Sequence, residues 1–144
     1  MKIFIAALAI ALAVALVHYF YGLYKLGQLD AAIATVHELV VAEAKFARAH
    51  PERGYTCNLF ELPDGGWIDD ERIDKQLIKT LATTGKRSGF SFEIRGCQQV
   101  DGKPNPTYKI IALPLNDGDP DGRDNVCADQ SGIVRFNDRQ CNQK

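Results

Sequence analysis

The chain begins with an unbroken apolar run. Residues Ile3 to Val17 include no charged residue, no glycine and no proline, and an aromatic cluster and then Lys25 follow. A helix from Ile3 to Tyr24 would be about 33 Å long, enough to cross the hydrocarbon core of a bilayer. Aromatic side chains favour the interface between membrane and water. The cluster consists of His18, Tyr19, Phe20, Tyr21 and Tyr24. This pattern predicts a transmembrane anchor over residues 1–25.

A cleaved secretory signal is the alternative interpretation of the same run. The triplets Ala11-Leu12-Ala13 and Ala13-Val14-Ala15 have the small residues that signal peptidases require. Cleavage there would leave the aromatic cluster as an exposed apolar tail, so the sequence favours an uncleaved anchor. Lys2 precedes the run, which predicts a single pass through a bacterial inner membrane, with the N-terminus cytoplasmic and the rest periplasmic.

Beyond Lys25 the apolar positions recur in alternating steps of three and four. They are Leu26, Leu29, Ile33, Val36, Val40 and Ala47, with Glu43 interrupting the stripe. Because the first proline is Pro51, this periodicity predicts that the same helix continues through an amphipathic half over residues 26–50. The stripe is expected to pack on the chain's own sheet, and a coiled-coil dimer seam is the alternative.

The remaining segment, residues 51–144, has the pattern of an α+β head. Asp69 to Lys79 carries acidic residues ahead of spaced apolar ones, which predicts a short helix ending near Gly85. Phe90, Phe92 and Ile94 then alternate with polar residues, as in a half-buried strand. Strands are predicted at residues 90–95, 108–113, 125–128 and 132–136. The fold class expected is therefore α+β, with a small antiparallel meander covered by helices.

Composition and charge narrow the function classes. The 17 basic and 18 acidic residues nearly balance, so no electrostatic footprint for a nucleic acid is present. No serine or cysteine lies in a recognisable nucleophile motif, and neither a catalytic site nor a small-molecule substrate is indicated. All four cysteines follow the apolar run and lack zinc-like spacing, which favours disulfides in an oxidising compartment; four buried thiols are the alternative.

A long hydrophobic helix followed by a helix-covered meander resembles type IV pilins and type II secretion pseudopilins. Spaced elements of the head are similar to a pilin-like group common in acidobacteria and related bacteria. These elements are Gly54-Tyr55-Thr56-Cys57, residues 86–92, residues 108–114, Gly122-Arg123 and residues 127–135. The resemblance implies a membrane-anchored structural or assembly protein. It also implies that pilin-like or secretion-system subunits are its partners, through the N-terminal helix.

The N-terminus differs from that family pattern. Pilins carry a cleavage glycine just before the hydrophobic helix and a glutamate five residues into the mature chain. Here Lys2 leads directly into Ile3, and the first acidic residue is Asp30. We therefore expect no prepilin peptidase site and no charge pairing with a neighbour's N-terminal amine, so that membership of a filament is left open.

Four cysteines allow three pairings, of which one is preferred. Cys57 with Cys97 would tie the end of the long helix to the first strand. Cys127 with Cys141 would close the C-terminal hairpin, much as many pilins close a C-terminal loop.

An aspartate-rich segment matches the first half of an EF-hand-type calcium loop. In the segment Asp117-Gly118-Asp119-Pro120-Asp121-Gly122, carboxylates alternate ahead of a glycine. Ala128 occupies the twelfth position, where a bidentate glutamate belongs, so Asp124 or Asp129 would have to complete a different geometry. The calcium ligands considered are Asp117, Asp119, Asp121 and Asp124; a solvated turn is the alternative.

A second function class follows from this segment. The chain would then be a periplasmic binding module that reuses a pilin-like head. Calcium, or the loop around Trp67, would make the contact.

Overall fold

One helix dominates the fold. The computed structural model describes residues 2–63, 73–98, 102–115, 125–137 and 141, with helix side chains from Ala6 onward. Helix α1 spans Lys2–Ala49, 48 residues, and is therefore about 72 Å long. Its last turn closes with the His50 N–H donating to the Phe46 carbonyl at 2.9 Å. The helix ends there because Pro51 follows, and a proline disfavours helical backbone in the residue before it. The single continuous helix predicted from the sequence is confirmed.

The head is built on a five-stranded antiparallel meander. Strand order follows chain order, so each strand pairs with its neighbours in sequence. The strands are β1 Lys86–Arg87, β2 Phe90–Arg95, β3 Lys109–Pro114, β4 Val126–Asp129 and β5 Arg135–Phe136. A short 3-10 helix, Leu59–Glu61, and helix α2, Lys75–Thr84, precede the sheet. The α+β fold class is confirmed.

The core lies between α1 and one face of the sheet. Phe90 and Phe92 of β2 point into it, as their alternation predicts, and the register sets Phe92 beside Ala112 of β3. α2 adds Leu77, Ile78 and Leu81 to the same cluster. Strand β2 starts near Gln28 of α1, and the residue Cys97 that follows it pairs with Cys57, which follows α1, so the two elements run in the same direction. The end of the sheet beside Gln28 is therefore close to the apolar run, and the end beside Cys97 is far from it.

The buried face of α1 differs from the predicted stripe by about one residue. Leu29, Ile33 and Val40 lie at its margins, and Leu26 is 61% exposed. The fully buried apolar positions are Ala32, Val36, Leu39, Ala42 and Phe46. The predicted stripe consisted mainly of larger side chains, whereas two of these five fully buried positions are alanines.

Helix α2 begins later than predicted. Asp74 is its N-cap, with Oδ1 accepting a hydrogen bond from the Leu77 N–H at 2.9 Å, and Ile73 is not helical. The acidic residues 69–71 that suggested an earlier start lie outside the described residues. The helix ends at Gly85 with φ 63°, as predicted.

Strand β1 and the 3-10 helix were not predicted. β1 pairs with β2 through a two-residue hairpin turn, Ser88-Gly89, whose φ angles are 47° and 80°. Positive φ at both positions is the requirement of the tight hairpin turn. The Ser-Gly dipeptide was the available signal for this turn.

Gly54 lies against another segment so closely that it admits no side chain. Its φ is 73°, and a Cβ there would lie 2.3 Å from the backbone oxygen of Asn105. We expect Gly54→Ala to lower the free energy of unfolding by about 2 kcal/mol or more, since strain and a backbone clash add. Gly102 is a matched control, because its φ is 75° and nothing lies within 4 Å of the added Cβ. Equal losses for Gly54→Ala and Gly102→Ala in chemical denaturation would contradict the close approach.

Candidate functional site

The first candidate surface is the unpacked part of α1, residues 6–24, called here the apolar half-helix. Its side chains are exposed around the whole circumference; Leu16 is 54% and Val17 is 67% exposed. The helix is long and apolar enough to cross a membrane, and none of its most apolar segment is buried within the chain. In water such a surface would be unfavourable, which is compatible with a membrane-spanning segment.

An aromatic and polar belt marks the boundary between the apolar half-helix and the head. The Lys25 ammonium lies 5.9 Å from the centre of the Tyr21 ring, so this side chain extends back toward the apolar run. Gln28 Nε2 donates a hydrogen bond to the Tyr24 hydroxyl at 2.8 Å. Tyrosine and lysine side chains of this kind match the interface between hydrocarbon and headgroups.

A groove of about 160 Å³ lies where the head meets this belt. Gly22, Lys25 and Leu29 of α1 line one side, and Phe90 and Pro114 of the sheet line the other. We call the surface around it the proximal edge. It is defined as Lys25, residues 86–89 and Leu115, and residues 86–89, which comprise β1 and the Ser88-Gly89 turn, are called the turn residues.

The proximal edge contacts α1. A Cβ on Gly89 would lie 2.6 Å from Gln28 Nε2, so turn and helix are in direct contact. The Leu115 N–H donates to the Gly89 carbonyl at 2.8 Å, which fixes the end of β3 beside the turn. Lys86 and Arg87 are exposed, and Leu115 is 43% exposed.

At the far end of the sheet, the first disulfide joins the segment after α1 to the end of β2. Cys57 pairs with Cys97 across a Cα–Cα distance of 5.8 Å. Asn105, which is 3% exposed, lies beside it and donates from Nδ2 to the Tyr55 carbonyl at 3.0 Å. The Asn105 backbone also accepts from the Tyr55 N–H. Sequence reasoning missed this asparagine; its position between Pro104 and Pro106 was the available signal.

A buried carboxyl lies under this far end. Glu43 of α1 is completely buried, and its Oε2 accepts a hydrogen bond from the Thr56 N–H at 3.0 Å. Among the described residues, its Oε1 has no hydrogen-bond partner. Burial raises the pKa of Glu43 to about 8, the Thr56 N–H opposes that rise, and the charge of Glu61 adds to it. The sequence showed Glu43 only as an interruption of the stripe, because its partner becomes visible only in the fold.

The neighbouring Tyr108 shares this environment. It is 3% exposed and its ring packs 4.7 Å from that of Tyr55. Burial, and then the charge of Glu43, raise the pKa of Tyr108 above its usual range. Both raised pKa values favour the neutral form of these acids in the folded protein at neutral pH.

The second disulfide covers the opposite face of the sheet. Cys127 of β4 pairs with Cys141 across 5.4 Å between Cα atoms, next to Ile111. Both disulfides follow the pairing preferred from the sequence.

Asp129, considered as a calcium ligand, is engaged within its own hairpin. Its Oδ1 accepts from the Ser131 N–H at 2.9 Å, and its Oδ2 lies 3.2 Å from Arg135 Nη1. The Ser131 hydroxyl, its N–H and the Arg135 charge together hold the pKa of Asp129 below its usual value. These contacts complete the turn without a metal.

The other predicted calcium ligands, Asp117, Asp119, Asp121 and Asp124, lie outside the described residues, as does Trp67. Calcium binding by this segment stays a prediction. In the part of the chain that the structure describes, no three His, Cys, Asp or Glu side chains are grouped to hold a metal ion.

Comparisons with known proteins give no match, since no family model, no curated protein and no solved structure is found to be similar to this chain. The architecture itself, a long apolar N-terminal helix packed on an antiparallel sheet, is compatible with a pilin-like fold.

Proposed function

We propose that this protein is a membrane-anchored structural or assembly protein of pilin-like build. It would be held in a bacterial inner membrane with its N-terminus cytoplasmic and its head periplasmic. One observation carries the proposal: a single helix, Lys2–Ala49, is apolar and uncovered along residues 6–24 and forms the core of the head along residues 32–46. Because one uninterrupted helix joins the two parts, a contact made within the bilayer would also set the position of the head.

The compartment is supported by the disulfides and the belt. Two disulfides suit an oxidising space such as the periplasm. The belt residues lie between the apolar half-helix and the head, so they would sit at the outer membrane surface.

Assembly within the bilayer is supported by the distribution of small side chains along the apolar half-helix. Ala7, Ala11 and Ala15 are spaced four residues apart and lie on one face of α1, and Ala9 and Ala13 lie on a second such face on the other side. Apolar helices associate in lipid where small residues let their backbones approach closely. We therefore propose that these alanine faces contact the helices of pilin-like or secretion-system subunits, or of further copies of the chain.

Photo-crosslinking from inside the bilayer tests this proposal. A benzophenone amino acid in place of Val14 lies beside Ala7 and Ala11, and one in place of Leu12 lies on the leucine face between the two alanine faces, as a matched control. Irradiation of native membranes should give, at Val14, an adduct with a second copy or with a pilus or secretion subunit, identified by mass spectrometry. Adducts at Leu12 should be much weaker.

Recovery of only the uncrosslinked monomer at both positions would contradict assembly through the helix. Release of the protein from membranes by carbonate, without detergent, would contradict the anchor itself.

A further inference from the structure

The proximal edge combines the features of a surface that rests on a lipid bilayer. Lys25, Lys86 and Arg87 supply three cationic side chains, and Leu115 presents a half-exposed apolar side chain beside them. None of the described residues that form this edge is acidic. Basic residues around an exposed apolar one match a membrane surface, where phosphate groups lie above the acyl chains.

The position of the edge along α1 agrees with this chemistry. Gln28, which contacts the turn at Gly89, follows Tyr24 by four residues, an axial distance of about 6 Å. The headgroup layer on each side of a bilayer is about 5–7 Å deep. If the aromatic belt lies at the hydrocarbon boundary, the turn residues 86–89 are therefore level with the phosphates. Lys25, the residue after Tyr24, lies at the start of the same layer.

We propose that the proximal edge binds the phosphate groups of anionic phospholipids. This inference rests on the proposed membrane anchor. The turn contacts α1 at Gln28, and the Gly89 carbonyl accepts a hydrogen bond from Leu115 at the end of β3. Binding at the edge therefore affects the position of the head and of the helix together. The consequence is that contacts with headgroups fix the tilt of α1, and with it the direction in which the head faces its partners.

The test compares hydrogen exchange of the full chain in two kinds of nanodisc. One is made of phosphatidylcholine alone and the other also contains phosphatidylglycerol, both in chelator, so that calcium held by the aspartates of segment 116–124 cannot bridge to lipid. We expect the turn amides of residues 86–89 to exchange on the order of fivefold more slowly with the anionic lipid, because each basic side chain at the surface contributes attraction of that size.

The double variant K86Q/R87Q should lose this difference. The matched control R48Q/K103Q removes one arginine and one lysine from exposed positions distant from the edge, at the end of α1 and beside Asn105, and should retain it. Equal exchange in the two lipids, or an equal loss in both variants, would overturn the proposal.

The same samples test the membrane anchor independently of lipid binding at the proximal edge. Elution of the chain with the nanodiscs in both lipids supports the anchor, whatever the exchange of the turn. A chain that does not enter nanodiscs of either composition overturns the anchor, and the edge proposal with it.

Discussion

Between pH 4.5 and pH 8 we expect the free energy of unfolding to fall by on the order of 4 kcal/mol, and we expect the Glu43→Gln variant to lack this fall. Glu43 is fully buried, and one of its carboxylate oxygens has no partner in the described part of the chain. Its pKa in the folded protein, about 8, lies above the ordinary value of 4.5. Within that interval the folded protein holds a proton that the unfolded chain has released, so stability decreases as the pH rises.

The direction of the effect is specific to a raised pKa. Below about pH 4.5 both states are protonated and the full stability is present; above about pH 8 both are ionised and the loss is complete. The measurement is chemical denaturation of the full chain in detergent micelles at a series of pH values, followed by near-ultraviolet circular dichroism.

A second variant separates the charge of Glu43 from its hydrogen bond. Glu43→Leu removes the titrating group and also leaves the buried Thr56 N–H without its acceptor. Its pH profile should be as flat as that of Glu43→Gln, but lower by about 1–3 kcal/mol. Parallel profiles for the unmodified protein and Glu43→Gln between pH 4.5 and pH 8 would show that Glu43 does not control the dependence.

Replacing Cys57 and Cys97 by alanine is expected to cost about 4 kcal/mol of stability, because the disulfide closes a separation of 40 residues. The pair Cys127 and Cys141 is the matched control, and its separation of 14 residues predicts a loss of about 3 kcal/mol. The first disulfide also holds the chain beside buried Asn105, whose Nδ2 donates to Cys57 Sγ at 3.3 Å. The stability lost with this disulfide should therefore exceed the stability lost with Cys127 and Cys141 by more than the ~1 kcal/mol that loop length alone predicts.

Denaturation of the two double variants, under conditions matched to the unmodified protein, measures both losses. A larger loss for the C-terminal pair than for the Cys57 and Cys97 pair would show that the far end of the head does not depend on its disulfide. Thr56, which binds Glu43, adjoins Cys57 in sequence, so the first variant is also expected to weaken the pH dependence.

The parts of the fold that were predictable are those that the periodicity of apolar side chains determines. Phe90 and Phe92 alternate with polar residues because one face of β2 is buried and the other is not. The apolar run and the absence of proline before Pro51 predicted one uninterrupted helix. Gly85 ended α2 as predicted, since it adopts the left-handed conformation there.

The parts that were missed depend on contacts between distant segments. Ala32 and Ala42 are fully buried in the helix contact, and small residues carry little weight in a hydrophobic pattern. Buried Glu43 accepts a hydrogen bond from the Thr56 N–H, and no spacing rule connects those two positions. The proximal edge unites Lys25, the turn after α2 and the end of β3, which only the sheet register brings together.

The division of α1 into a lipid-exposed half and a head-packed half is the central claim, and paramagnetic relaxation in nanodiscs tests it most directly. The full, unmodified chain is studied by nuclear magnetic resonance, first with a spin label on the lipid acyl chains and then with a water-soluble relaxation agent. We predict that the lipid label broadens signals of residues 8–18 on every face of the helix, whereas residues 32–46 are not affected. Broadening of residues 8–18 by the water-soluble agent, with no effect of the lipid label, would contradict the account.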